Sequence, residues 1–352
     1  MAKTGIELKD LTPIIKERSA TSGWALCVGA GTSVPAFPSW GVLVEQLARR
    51  DVGSKAADLR ANLEKQFSYD ALIQAAKDRL GYSDKKFATT LKIELYRNVK
   101  KTLKPHEWRT FLNAVSTLRV GDLKPHEWTE FLTIIRSYFS GMTALSIAEI
   151  ISEVIETKHA PSAILSFNAE PLFVALINAF ASARFAPSEK QVIDIVTRAI
   201  SNRRQSRIPY FFCHGLLPTP KPQRRGPQVE SVDKLVFSET SYLQLANLAF
   251  SWQSSVFIDV CSSRSVVFVG VSLTDPNMRR WLSWIVANRV QELRDQGIYR
   301  GVSTTHIWIN KAPASSQERS WIESCVAHLG VRLVWIDDWD EVGRALRALL
   351  GR

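Results

Sequence analysis

Cysteine is scarce in this 352-residue sequence and never paired: Cys27, Cys213, Cys261 and Cys325 are its four. No Cys-x-x-Cys knuckle is present, so the spacing of a structural zinc site is missing and no zinc is expected. Isolated thiols in apolar runs behave as small buried hydrophobes, and their spread fits a reducing, cytoplasmic setting. Long apolar runs are missing too. No segment approaches the roughly 18 consecutive apolar residues of a membrane span. The start of the sequence, Met1-Ala2-Lys3-Thr4-Gly5-Ile6-Glu7, lacks the apolar stretch of a secretory signal. No membrane partner is therefore expected. With 45% hydrophobic and 22% charged residues, and no low-complexity tract, the composition is that of a folded protein. Its length suits one large α/β domain or two smaller ones.

Acidic residues are absent from 195–229, which holds Arg198, Arg203, Arg204, Arg207, Lys221, Arg224 and Arg225. Pro218, Pro220, Pro222 and Pro227 favour an extended loop over its second half. This segment contributes to a formal net charge of +11. Such a loop can be merely solvated, can meet nucleic-acid phosphates, or can dock on an acidic partner. Aromatic residues are not interleaved with its arginines, which disfavours single-strand stacking. A subunit or partner contact is the preferred reading over direct nucleic-acid binding.

Short apolar runs recur at Trp24–Val28, 163–167, 210–213, 235–237, 266–269, 306–309 and Val331–Ile336. Most lack period-two alternation, as strands covered on both faces do. Helical patterns lie between them at 171–184, 188–202, 239–260, 276–296, 315–328 and 338–350. The alternation predicts a Rossmann-like α/β fold, a doubly wound parallel sheet, over a single domain spanning 1–352. Residues 41–158 break the pattern, reading as helices only and hence as a large helical insertion. Leu43 and Leu47, then Leu59, Leu63 and Phe67, then Ile73, Leu91, Leu95, Phe111, Val115, Phe131 and Ile135 recur at helical spacing there.

Within that insertion, Leu103-Lys104-Pro105-His106-Glu107-Trp108 recurs as Leu123-Lys124-Pro125-His126-Glu127-Trp128. Pro at a first turn and Glu near the positive end of the dipole predict two helix starts. A metal pair of His106 and His126 with Glu107 and Glu127 is the disfavoured alternative, because no helix carries a His pair four residues apart.

The chemistry gathers where predicted strands end. Trp24–Val28 runs into Gly29-Ala30-Gly31-Thr32-Ser33; 163–167 ends on Asn168; 210–213 ends on His214; 266–269 ends on Gly270-Val271-Ser272. Ligands of open parallel sheets sit outside the carboxyl ends of the strands. Glycines there let backbone N–H groups approach a pyrophosphate, and Thr32 and Ser33 add hydroxyl donors. Asn168 can orient a hydroxyl or a water, and His214, titrating near neutrality, suits general-base work. Each signal alone is weak; four on one predicted edge favour a functional site. Asp275, before Pro276-Asn277, reads equally as a ligand contact and as a helix N-cap. Asp337, after the last strand, reads equally as a nucleotide contact and as a turn residue.

These segments resemble the sirtuin-like superfamily. Gly29-Ala30-Gly31-Thr32-Ser33 is similar to its Gly-Ala-Gly-x-Ser loop, and Ser166-Phe167-Asn168-Ala169-Glu170 to its Thr-x-Asn-x-Asp motif. Cys213-His214-Gly215 matches its His-Gly. The stretch Gly270-Val271-Ser272-Leu273-Thr274-Asp275-Pro276-Asn277 resembles a segment of the bacterial branch. The departures are Glu170 for Asp, Phe167 where deacylases carry Gln, a different continuation of the first loop at Ala36-Phe37-Pro38-Ser39-Trp40, and the missing zinc cysteines.

The resemblance implies NAD⁺ as substrate, with Asn168 and His214 catalytic. It places Gly29, Ala30, Gly31, Thr32 and Ser33 on phosphate at a helix N-terminus, and Gly270, Ser272 and Asp275 on the adenosine side. Without a zinc module a deacylase loses its acyl-lysine groove, so the resemblance favours the zinc-free NAD⁺ hydrolases of bacterial antiphage defence. Relatives of that kind imply a homo-oligomer or ring, or a separate sensor such as a HerA-type ATPase or a short Argonaute. The alternatives are a non-catalytic NAD⁺- or ADP-ribose-binding regulator and a protein deacylase.

Overall fold

A computed structural model describes residues 5–13, 23–185, 192–198, 207–217, 219–220, 235–247, 251–298 and 304–352. Among the described residues eight strands form one parallel sheet. They are β1 (Ile6–Glu7), β2 (Trp24–Val28), β3 (Ala163–Ser166), β4 (Ile193–Val196), β5 (Ile208–Phe212), β6 (Ser265–Val269), β7 (His306–Lys311) and β8 (Val331–Ile336). The spatial order is β1-β8-β7-β6-β2-β3-β5-β4. From β2 the polypeptide adds β3, then the edge strand β4, then β5 between those two, and returns to the other side of β2 with β6, β7 and β8. The strand order therefore reverses at β2, the switch point at which open α/β sheets take ligands.

The sheet is buried on both faces, which is why its strands read as unbroken apolar runs. All five residues of β2 are buried. Trp24, Leu26 and Val28 join one core, and Ala25 and Cys27 the other. Between β2 and β3 the described residues are mainly helical, from α1 (Trp40–Val52) through α2 (Ala56–Leu63), α3 (Tyr69–Arg79), α4 (Asp84–Leu95), α5 (Arg97–Thr102), α6 (Pro105–Ser116) and α7 (Pro125–Phe139) to α8 (Thr143–Val154). These helices share the first core with α9 (Leu172–Arg184). The second core is closed by α10 (Glu239–Asn247), α11 (Trp252–Ser263), α12 (Pro276–Asp295) and α13 (Ser316–Ala327), and α14 (Val342–Leu350) returns to the first.

The repeated hexapeptides start α6 and α7. Glu107 accepts a hydrogen bond from the Lys104 N–H at 2.8 Å, and Glu127 from the Lys124 N–H at 2.9 Å. Each copy thus closes its own helix start. Only the second buries its tryptophan fully, with Trp128 Nε1 donating to the Val120 carbonyl at 2.9 Å.

Several elements of the fold differ from the sequence expectation. Residues 193–196 form edge strand β4 instead of part of a helix, because Ile193, Ile195 and Val196 gain a partner in β5 that no local pattern reveals. Residues 235–237 are not a strand; Val236 N–H instead donates to the His214 carbonyl at 3.1 Å, strapping this segment across the site. The pattern at 239–260 divides into α10 and α11, the second starting on Ser251, whose hydroxyl accepts from the Ser254 N–H. Phe67 is 52% exposed, because α2 has already ended at Leu63. Most of the basic 195–229 segment lies outside the described residues; within them Arg207 pairs with Asp194 at 3.0 Å.

Candidate functional site

The four strand-end motifs fall on four adjacent strands, β6, β2, β3 and β5. Register sets them side by side: Val28 stands beside Val269 on one flank and Ser166 on the other, and Ser166 beside Phe212. Gly29, Asn168, His214 and Gly270 therefore leave one edge of the sheet together.

The first two turns are locked to each other. Gly29 N–H donates to the Val269 carbonyl at 3.1 Å, and Gly31 N–H to the Gly270 carbonyl at 3.0 Å. A Cβ on Gly29 would stand 2.6 Å from the Gly270 oxygen, and one on Gly270, at φ +66°, 2.5 Å from Thr32 N. The glycines are thus needed for backbone-to-backbone approach between two strand ends. Residues 30–33 form a single 3-10 turn, and the α-helix begins only at Trp40. The expected helix N-terminus directly behind Ser33 is absent. The N–H groups of Gly29, Gly31 and Thr32 already serve backbone carbonyls.

Thr32 and Ser33 also turn inward. Both are buried; Thr32 Oγ1 donates to the Gly29 carbonyl at 2.8 Å and Ser33 Oγ to Glu170 Oε1 at 2.5 Å. Asn168 Nδ2 lies within 3.4 Å of Thr32 Oγ1 and 3.2 Å of both Ser33 Oγ and Glu170 Oε1. Its Oδ1 is buried with no partner. A buried acceptor left open is costly unless something fills it, so Asn168 presents an acceptor to an incoming donor. Asn168 and Glu170 line a cavity of about 30 Å³ with Ala30, Ser33, Phe37 and Phe237. That space suits water rather than an aromatic ring.

Glu170 was visible in the sequence only as an unusual substitution, yet it sits at the centre of this network. Burial pushes its carboxyl up to about 7 against the opposing bonds from Ser33, the Leu172 N–H and Asn168. Phe37 lay in the departing first loop and Phe237 in an apolar run read as a strand, and nothing local showed that packing would bring both to this cavity.

His214 is 4% exposed and stands edge-on to two rings, Phe167 at 4.8 Å and Tyr242 at 5.3 Å between centroids. Burial drives the imidazole down to about 4, only partly offset by Asp275. The near-neutral titration expected from sequence does not hold in this packing; the ring is neutral at pH 7. Its Nδ1 is buried without a partner. His214 Nε2 lies 3.8 Å from Asp275 Oδ2, longer than a hydrogen bond, so a neutral ring is poised beside a carboxylate.

Asp275 serves two purposes. Oδ1 caps α12, accepting from the Asn277 and Met278 N–H groups at 2.8 and 3.0 Å, while Oδ2 faces His214. Of the two readings the sequence left open for Asp275, the helix N-cap is observed, and the same side chain also stands beside the imidazole. Ser272 is exposed and bonds the Thr274 hydroxyl at 2.7 Å. Leu273 between them adopts φ +51°, a left-handed conformation costly for a branched residue. Asp337 N–H bonds Glu341 at 2.8 Å, supporting its turn role.

Among the described residues no cluster of three or more His, Cys, Asp or Glu could hold a metal ion, and no helix is long and apolar enough to cross a membrane. No curated protein matches this sequence. Residues 175–329 match a family described as SIR2-like domain, a stretch that carries His214, Gly270, Ser272 and Asp275 but begins after Asn168.

Proposed function

We propose that this protein is an NAD⁺ glycohydrolase, cleaving the nicotinamide–ribose bond to nicotinamide and ADP-ribose. The observation that carries this reading is the open Asn168 Oδ1, set on the strand next to the one that ends in His214. The similarity of residues 175–329 to SIR2-like domains supports NAD⁺ as the substrate. As nicotinamide leaves, the ribose gains oxocarbenium character and a nucleophile must approach its opposite face. Asn168 Oδ1 accepts a hydrogen bond from the attacking water or a ribose hydroxyl. His214 takes the proton, and as positive charge grows on its ring the Asp275 carboxylate stabilises it. Gly31, the exposed residue of the first turn, lets the pyrophosphate approach beside Ala30, and Ser272 lies toward the adenosine.

The 30 Å³ cavity and the inward-facing hydroxyls support a resting state that must open before NAD⁺ enters. A closed resting site fits activation by a trigger or partner, and the resemblance to bacterial sirtuin-like hydrolases supplies the proposed outcome, NAD⁺ depletion in antiphage defence. A homo-oligomer, a HerA-type ATPase or a short Argonaute are the proposed activators. The test is nicotinamide release from NAD⁺ by the purified protein, alone and with proteins that copurify with it. Unchanged release from both Asn168→Ala and His214→Ala would falsify the assignment. Ligand-induced thermal stabilisation without turnover, under activating conditions, would favour a non-catalytic regulator instead.

A further inference from the structure

Tyr242 of α10 meets the His214–Asp275 pair through its ring, its carbonyl and its hydroxyl. The ring stands edge-on to the imidazole, 5.3 Å between centroids at 80°, as Phe167 does at 4.8 Å and 82°. The carbonyl accepts from Asn277 Nδ2 at 3.4 Å, and Arg280 fixes that amide by donating to Asn277 Oδ1 at 2.9 Å. The hydroxyl lies against the Asp275 carboxylate. Asp275 Oδ1 already accepts from the Asn277 and Met278 N–H groups. That leaves Oδ2, the oxygen 3.8 Å from His214 Nε2, to take the phenolic hydrogen. The segment leading into α10 also holds His214 by its backbone, through the Val236 N–H on its carbonyl at 3.1 Å.

The gap between Asp275 and His214 calls for such a restraint. A carboxylate beside an imidazole gains by closing to about 2.8 Å and taking the ring N–H. Two N–H groups on Oδ1 fix one end of the carboxylate, and a donor at Oδ2 fixes its plane. We infer that Tyr242 is a positioning residue of this site: its ring holds the imidazole, and its hydroxyl holds Asp275 Oδ2 short of a hydrogen bond to Nε2. The imidazole then stays neutral and ready to take a proton, with a carboxylate near enough to stabilise the charge that forms. The inference rests on the proposed glycohydrolase reading for the reaction it serves, and on the geometry alone for the restraint.

The surroundings keep Tyr242 a donor. Burial and the charges of Asp275 and Asp70 push its phenol well above the ordinary value of tyrosine, so the hydroxyl keeps its hydrogen. Of the groups that face His214, Phe167 carries no charge, Tyr242 stays protonated, and Asp275 supplies the charge the ring feels. Helix α10 packs against α12, whose cap is Asp275, and against α3, which carries Asp70. Tyr242 is thus where the helical insertion reaches the His214–Asp275 pair.

Tyr242→Phe keeps the ring and removes the hydroxyl. Nitrogen NMR of histidine-labelled protein, with His214 assigned by its loss in His214→Phe, tests the restraint without requiring turnover. In wild type the ring titrates at about 4. In Tyr242→Phe, where Asp275 can close on Nε2, the titration is expected to rise by about one unit. An unmoved titration overturns the inference. In parallel, nicotinamide release is measured under activating conditions. Tyr242→Phe is expected to lose about tenfold in kcat with KM held within about twofold, because the restraint matters once charge forms on His214. Its melting temperature is expected to hold within a few degrees. Tyr242→Leu, which also removes the wall of the imidazole, is expected to lose about a hundredfold. Full kcat in Tyr242→Phe, or a raised KM with kcat unchanged, overturns the inference as well. A raised His214 titration in a Tyr242→Phe protein whose parent never releases nicotinamide would support the restraint and defeat the glycohydrolase reading alone.

Discussion

Gly31 donates its N–H to the carbonyl of Gly270 at 3.0 Å, joining the turn after β2 to the turn after β6 at the point where strand order reverses. Gly270→Ala puts a Cβ 2.5 Å from Thr32 N at a backbone angle that L residues rarely adopt. The expected cost is about 2–4 kcal/mol of stability. Chemical denaturation compares the variant with Gly81→Ala, at positive φ at a helix C-terminus but with nothing within 4 Å of its added Cβ. The second variant is expected to lose about 1 kcal/mol. Equal losses would show that close packing of the two turns adds nothing.

Asp275 separates structural from chemical effects. Asp275→Asn keeps a capping oxygen for α12 but removes the charge beside His214. Its melting temperature is expected to hold within a few degrees, since Asn caps about as well as Asp. Nicotinamide release is expected to fall by at least about tenfold. Asp275→Ala loses the cap as well and is expected to be about 1 kcal/mol less stable. Full activity in Asp275→Asn would remove the carboxylate from the mechanism.

Acid stability reports on His214. Its folded value, about 4, lies below the ordinary 6.5 of histidine, so the unfolded state binds the proton first as pH falls. Stability is therefore full above pH 6.5 and is lost progressively toward pH 4. The loss attributable to this residue reaches up to roughly 3 kcal/mol. Urea melts at pH 7 and pH 4.5 are expected to diverge less in His214→Phe than in wild type.

Glu170 produces the opposite slope. Its folded carboxyl, at about 7, holds a proton that the unfolded state releases near 4.5. Its burial therefore costs nothing below pH 4.5 and progressively destabilises the fold as pH rises toward and past 7. Glu170→Gln is expected to melt higher than wild type at pH 8.5 and at about the same temperature at pH 4.5. A variant that melts lower at both pH values contradicts the buried-acid assignment.

Much of the sheet is legible in the sequence because a strand covered on both faces must be apolar throughout. Trp24–Val28 and Val331–Ile336 are found where expected. The helical stretch and both repeated helix starts are equally visible, since periodicity, proline and glutamate act over a few residues. Edge strand β4 is hidden, because its assignment depends on β5 and on nothing within four residues.

The sequence alone determined which chemical groups stand at the ends of strands: two glycine turns, an amide and an imidazole. Those identities follow from local order along the polypeptide. Only the tertiary structure decided what each group faces. It set the glycines against each other, turned Thr32 and Ser33 inward to Asn168 and Glu170, and placed Asp275 beside His214. The physical reason is separation in sequence: Ser33 and Glu170 are 137 residues apart, and Gly31 reaches Gly270 only across paired strands. Burial, which moves both Glu170 and His214 far from their ordinary titration, exists only once those contacts have formed.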